Sequence, residues 1–296
     1  MRQAARIHSC RISGDGSEDA IGEGSLLFPY WSFTKTAIAI CALTLVDRDR
    51  VDPDVCLDGQ PYTLRQLLNH AAGLPDYATP EYRRAVAADE DPWPSGTMRA
   101  AQARELRFAP GQGWAYSNVV YMLAREHIEA VSGQGFASLF REMVGDPLGL
   151  DSVELASSRE QFSRTCWDPA KRYHPGWVYH GCLMGTAWDA ALLLHGLFSG
   201  KLLKTATLEQ MLERRPLGGA IDGRPWTDCG YGLGLMSGSM GAAGRALGHS
   251  GGGPFCVNAV YHFPDGGSPV TVASFADGSD EGIAEFEAVR LAQARP

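Results

Sequence analysis

From Thr34 to Val46 nearly every side chain is apolar or small, so a helix formed there has no polar face to offer water and must be covered on all sides. It is far shorter than the roughly 20 residues that cross a bilayer, and we read it as the central buried helix of a folded domain, with no membrane partner. The remainder of the chain can supply the cover. Its 296 residues are 45% apolar and 20% charged, ordinary globular usage and enough for one large unit or two smaller ones. The balance of 26 basic against 34 acidic residues, a net charge of -8, repels phosphate backbones and excludes nucleic acid as an expected partner.

Other features narrow the class further. The segment from Met1 to Ser13 carries Arg2, Arg6 and Arg11 but no apolar run, so no secretory signal is expected and the chain reads as cytoplasmic. The seven cysteines are odd in number, scattered and nowhere spaced C-x-x-C, which predicts reduced, mostly buried thiols rather than a disulfide framework or a zinc site. Glu126-His127 lacks the second histidine of a zinc-binding helix. No metal and no cofactor are expected.

Along the chain, Arg6 to Ile12 and Ala20 to Ser25 flank a Gly14-Asp15-Gly16 turn and predict a strand hairpin. A helical block follows (Leu64 to His70, Val119 to Val131, Phe136 to Met143, Thr186 to Leu197), broken by loops rich in Pro and Gly. After Asp228, strands are expected at Tyr231 to Ser237, Arg245 to His249, Cys256 to Phe263 and, past an Asp265-Gly266-Gly267 turn, Val270 to Phe275, with a closing helix from Glu281 to Ala292. This order predicts an α+β fold: an antiparallel sheet assembled from both termini, flanked by helices, with a large, mostly helical insertion. We expect a discontinuous sheet domain of residues 1–62 and 215–296, a helical domain of residues 63–214, and an active-site cleft between them.

Two nucleophile candidates present themselves. Ser32-Phe33-Thr34-Lys35 is an S-x-x-K arrangement at the start of the buried helix. Positions i and i+3 share a helix face, so the Lys35 amine can reach the Ser32 hydroxyl. Desolvation and the positive helix N-terminus both disfavour an ammonium ion there, leaving an amine able to take a proton. The same residues are compatible with a capping serine and a lysine that reaches solvent. The rival, Gly248-His249-Ser250-Gly251-Gly252, matches the G-x-S-x-G strand-to-helix elbow. That elbow needs a helix next, whereas Cys256 to Phe263 is built of strand formers. It also needs an acid and then a histidine further along, and the segment between Ser250 and His262 contains no acid. A third segment, Tyr116-Ser117-Asn118, ends a glycine-rich approach to the helix starting near Val119. Tyr116 is a candidate general base, and the Asn118 amide can donate and accept toward a substrate. A packed tyrosine and a capping asparagine would leave the same trace.

Together, Ser32-Phe33-Thr34-Lys35, Tyr116-Ser117-Asn118 and His249-Ser250-Gly251 resemble, in order and spacing, the three motifs of the serine β-lactamase and penicillin-binding protein superfamily. Class C β-lactamases, D-alanyl-D-alanine carboxypeptidases, esterases and D-aminopeptidases are the members most like it. Leu67-Leu68-Asn69-His70-Ala71-Ala72-Gly73-Leu74-Pro75, Asp146-Pro147-Leu148-Gly149-Leu150, Gly185-Thr186-Ala187-Trp188-Asp189 and Tyr231-Gly232-Leu233-Gly234 look like the same family. The resemblance thus covers most of the chain from Leu26 to Asp277. It implies a β-lactamase/transpeptidase-like fold and an acyl-enzyme hydrolase of esters, small amides or peptides. In that reading Ser32 attacks, Lys35 and Tyr116 manage its proton, and the backbone N–H groups of Ser32 and Gly252 hold the oxyanion. Asn118, His249, Ser250 and Gly251 then orient the substrate. The sequence departs from the pattern at His249, where β-lactamases of this kind usually carry lysine. The missing fixed charge argues against efficient penicillin hydrolysis. A true β-lactamase or carboxypeptidase is the alternative within this chemistry, and a catalytically silent ligand-binding relative the alternative outside it.

Overall fold

A computed structural model describes residues 5–14, 18–21, 24–102, 105–265 and 268–294. The strands are β1 (Ile7–Ser13), β2 (Glu18–Ile21), β3 (Phe28–Pro29), β4 (Glu154–Ala156), β5 (Cys182–Gly185), β6 (Arg215–Gly218), β7 (Asp228–Tyr231), β8 (Met236–Ser239), β9 (Arg245–Gly252), β10 (Cys256–Phe263) and β11 (Val270–Asp277). The α-helices are α1 (Thr34–Asp47), α2 (Leu64–Leu68), α3 (Pro80–Ala87), α4 (Ser95–Gln102), α5 (Asn118–Ser132), α6 (Phe136–Phe140), α7 (Asp146–Leu148), α8 (Arg159–Phe162), α9 (Ala187–Phe198), α10 (Thr205–Leu212) and α11 (Glu281–Gln293).

Eight strands form an antiparallel sheet in the order β2-β1-β11-β10-β9-β8-β7-β6, so both ends of the chain contribute to it. Every residue of β10 is buried, as cover on both faces requires, and its polar members Asn258 and His262 are hydrogen-bonded, to the Pro29 and Tyr30 carbonyls and to Thr271. Successive side chains alternate between faces. Val257, Ala259, Tyr261 and Phe263 enter one core with Ala284, Ala288 and Leu291 of α11, while Cys256 and Val260 enter the other with Leu193, Leu194 and Leu197 of α9. A smaller antiparallel sheet, β3-β5-β4, lies apart.

Helix α1 has the all-round burial its sequence demands: positions 34–45 are all buried. Its few polar groups are paired, with Thr36 Oγ1 donating to the Gly234 carbonyl (2.7 Å), Thr44 Oγ1 to the Ile40 carbonyl (2.8 Å), and Thr34 Oγ1 accepting from the Leu183 amide (3.0 Å). Burying Ile38, Ile40, Leu43 and Leu45 gains about 1.5–3 kcal/mol each, which offsets the cost of taking Lys35 out of water. The helix packs on α5, α6 and α10, and the 3₁₀ turn before it, Trp31–Phe33, packs on β9 and β10. The nucleophile segment thus lies between the helices and the sheet.

Several expectations need correction. The strand expected at Tyr231 to Ser237 is two strands, β7 and β8, joined by a turn at residues 232–235. Gly234 (φ +83°) sits there so close to α1 that an added Cβ would lie 2.3 Å from Ala39 Cβ. The helix expected at Phe136 to Met143 changes to a π-turn at Arg141–Gly145. The first hairpin pairs β1 with Glu18–Ile21 rather than with Ala20 to Ser25, and its turn residues Asp15 and Gly16 lie outside the described residues, as do Gly266 and Gly267 of the later turn. Helices α3, α4, α7, α8 and α10, strand β6 and the small sheet are additions to the expected elements. All seven cysteines are free thiols. Among the described residues no helix is long and apolar enough to cross a membrane.

Candidate active site

Ser32 occupies the 3₁₀ turn leading into α1. The preceding Trp31 holds φ +43°, a left-handed conformation that costs a non-glycine residue on the order of 1 kcal/mol or more. Packing fixes it: the buried indole lies among Phe162, Tyr173 and Phe255, and its N–H donates to Cys256 Sγ at 3.2 Å. Strand β9 closes on the same turn, since a Cβ at Gly251 would lie 2.8 Å from the Ser32 nitrogen. Only glycine allows that approach.

The predicted partners converge on the Ser32 hydroxyl. Lys35 Nζ and the Tyr116 hydroxyl each lie 2.9 Å from Ser32 Oγ. Lys35 is fully buried, and burial pulls its pKa down to about 7 against the opposing pull of Asp76, Glu281 and Cys182. Desolvation penalises the charged form, so near neutral pH a large share of Lys35 is free amine. Burial drives the Tyr116 phenol the other way, well above its ordinary value. Tyr116 is therefore not a standing tyrosinate but a protonated phenol that donates to Ser32.

Asn118 opens α5 and faces Lys35, its Oδ1 accepting from Nζ at 2.8 Å. Asp76 sets that orientation by accepting from the Asn118 backbone amide (2.9 Å) and from Nδ2 (3.2 Å). His70, itself at φ +60°, supports the tyrosine: its ring lies 4.4 Å from the Tyr116 ring, and its Nδ1 accepts from the Ser117 amide at 3.2 Å.

On β9, His249 is buried, bonds the Tyr231 hydroxyl through Nε2 (2.9 Å) and contacts the Ser250 carbonyl through Nδ1. Burial and the neighbouring Lys35 push its pKa down to about 3, so it is neutral and supplies no fixed charge. Ser250 Oγ is held by Arg224 Nη2 (2.7 Å) and Glu281 Oε2 (3.2 Å). Arg224 is in turn paired with Glu281 (3.0 Å) and with the fully buried Glu285. Gly252 lies beside Glu281, whose Oε1 would be 3.1 Å from a Cβ there.

Ser32, Tyr116, Asn118, His249, Ser250 and Gly252 line a cavity of about 860 Å³, a volume suited to a small molecule. His180, Asp76, Arg224 and Glu281 were not anticipated. Asp76 directly follows the Leu67–Pro75 segment and could have been found by extending it. The other three come from separate segments that only folding unites. Among the described residues no group of three or more His, Cys, Asp or Glu side chains is placed to hold a metal ion.

Comparison with known proteins gives a consistent picture. A family model described as Beta-lactamase matches residues 23–294. The chain is 30% identical to penicillin-binding protein 4* of Bacillus subtilis (strain 168) over 52% of its own length and 35% of that protein's. It is 29% identical to esterase EstB of Burkholderia gladioli over 51% of its own length and 42% of that protein's. The chain thus spans well under half the length of these curated relatives. Among solved structures, D-amino acid amidase from Ochrobactrum anthropi SV3 superposes with a TM-score of 0.80 over 97% of this chain and 95% of that one, at 19% identity, a likeness of fold.

Proposed function

The chain belongs to the beta-lactamase family, and from that premise we propose that it is a serine hydrolase that forms an acyl-enzyme on Ser32 with esters or small amides and peptides. One observation carries this reading: a buried amine with a pKa near 7 sits 2.9 Å from a hydroxyl that also accepts from a protonated phenol. Ser32 Oγ bonds to the substrate carbonyl carbon as its proton passes to Lys35 Nζ. The carbonyl oxygen becomes an oxyanion facing the backbone N–H groups of Ser32 and Gly252, where each donor is worth about a hundredfold or more. The tetrahedral adduct collapses, the bond to the leaving group breaks, and the Lys35 proton reaches that group by way of Tyr116. Water then attacks the acyl carbon, gives a proton to the same relay, and releases the acid with Ser32 restored. Asn118 keeps Lys35 in place, while His249, Ser250 and Gly251 border the acyl group.

Esters and small amides are favoured over β-lactams because the β9 side of the cavity offers a carboxylate no free positive charge: His249 is neutral and Arg224 is paired with Glu281 and Glu285. Intact-mass measurement after separate exposure to a fluorophosphonate, a p-nitrophenyl ester and a penicillin tests this. We expect one stable fluorophosphonate adduct on Ser32, ester turnover, and little penicilloyl adduct. Ready acylation by penicillin would move the assignment to a β-lactamase or carboxypeptidase; no adduct with any reagent would mark a silent relative.

The pH profile provides a second check. Acylation needs the free amine, so kcat/KM should rise with pH through about 7, with the rate at pH 5 about a hundredfold below the plateau. A limb at pH 5 or below would show that Lys35 is not the titrating base.

A further inference from the structure

One buried group beside the reacting pair has no part in the steps above. His180 precedes β5, is 2% exposed, and places Nε2 3.3 Å from Lys35 Nζ. Its buried Nδ1 has no partner in hydrogen-bonding geometry, and the backbone group that acts on the ring is the Trp31 carbonyl. The backbone that carries it is fixed by Gly181, whose φ of +95° and closeness to Leu155 and Arg125 suit no other residue, and by the bond from Leu183 to Thr34 of α1.

Hydrogen accounting at Lys35 Nζ gives this contact a meaning. A neutral amine has two N–H bonds and one lone pair. Asn118 Oδ1 can only accept, so it takes one hydrogen. Ser32 Oγ already receives the Tyr116 hydrogen and must hand its own proton to nitrogen for the reaction to begin. If His180 Nε2 carried a hydrogen, that hydrogen would point at the lone pair and compete with Ser32. If Nε2 is bare, it takes the second N–H and the lone pair is left facing Ser32 Oγ.

We propose that His180 is a positioning residue of the Ser32–Lys35 pair, protonated on Nδ1, whose Nε2 accepts a hydrogen from Lys35 and so aims the amine lone pair at the nucleophile. Once Lys35 has taken the Ser32 proton, the ammonium has three hydrogens for the same three neighbours, Asn118, His180 and Ser32. Both protonation states are served without moving a side chain. The groups facing His180 favour a neutral ring: burial, Lys35, Arg125 and His249 all oppose a charge on it, against a weaker pull from the Trp31 carbonyl. Around Lys35 itself stand Asp76, Glu281 and Cys182, with His70 and His249 also within electrostatic reach.

The inference rests on the hydrolase reading, and its test separates the two. In the protein labelled with ¹⁵N-histidine, NMR should show His180 with a protonated Nδ1 and a bare Nε2, the signals being assigned by their loss in His180→Gln. Kinetics with a p-nitrophenyl ester then compare His180→Leu, which has no acceptor, with His180→Gln, whose amide oxygen can accept. His180→Leu should lower kcat about 10–100-fold with little change in KM. Its acid limb should move to lower pH, because a lost acceptor weakens the ammonium more than the amine. His180→Gln should recover the rate to within about threefold of wild type. A hydrogen on Nε2, a His180→Leu variant with wild-type rate and limb, or a His180→Gln variant as impaired as His180→Leu would each overturn the proposal. The tautomer is read on the unmutated protein, so it decides the matter even if His180→Leu does not fold. Fluorophosphonate labelling of Ser32 in the same preparation reports on the hydrolase reading independently.

Discussion

Ser32→Ala is expected to cut ester turnover on the order of 10⁶-fold, the loss seen when a serine hydrolase loses its nucleophile. The size of the effect follows from how much converges on one oxygen: the Lys35 amine and the Tyr116 phenol both point at Ser32 Oγ, and without it the relay has nothing to deprotonate. The fold should be unharmed, since the contacts of that hydroxyl are to Lys35 and Tyr116, which then face each other across the gap. A variant with wild-type turnover and a wild-type melting curve would place the nucleophile elsewhere. Ser250, the serine of the G-x-S-x-G segment, is a poor substitute because its hydroxyl is tied to Arg224 and Glu281 and the strand conformation of β9 carries no elbow.

The second large effect lies in stability. Glu285 is fully buried on α11 and accepts from Arg224, from the Trp226 indole (3.1 Å) and from the Tyr261 hydroxyl (3.0 Å). Glu285→Leu leaves Arg224 with Glu281 as its carboxylate partner and strands the Trp226 and Tyr261 polar hydrogens in the interior, a combination that costs about 3–5 kcal/mol. For a chain of this size that corresponds to a fall in melting temperature of roughly 5–8 °C, measurable by calorimetry or circular dichroism. Glu281→Gln should cost much less, because the Glu281 side chain is 33% exposed and water can replace the lost contact. Equal melting temperatures for Glu285→Leu and wild type would show that the cluster contributes little to holding α11 on the sheet.

The legible parts of this molecule were those with a repeating local signal. The unbroken apolar stretch gave α1, and with it the expectation that Lys35 is buried; the runs of strand formers gave β10 and β11; the loop-helix junction gave Asn118 at the start of α5. Ser32 and Lys35 could be paired because three residues of spacing has a fixed meaning in helical backbone. What the sequence hid arises from contacts between distant segments. Nothing local about His180 or Arg224 marks them as neighbours of Lys35 and Ser250. The break between β7 and β8 was hidden because it is imposed by the approach of Gly234 to Ala39, nearly two hundred positions earlier. Helix α3 had a readable start, with Thr79 capping and Pro80 at the first position, but only Ala85 of its eight residues is buried, so no apolar stripe announced it.

The sheet order has a bearing on how the protein is made. Strand β1 pairs with β11, joining Ser9 to Ser274 across 265 positions. At about 5–20 residues per second a ribosome takes roughly 13–50 s to cover that distance, and until then β1 has a single neighbour, β2. Strand β9, which seats against Ser32, emerges only shortly before. Ser32 is thus translated more than two hundred positions before the strand that seats against it, so its surroundings are complete only once β9 has left the ribosome.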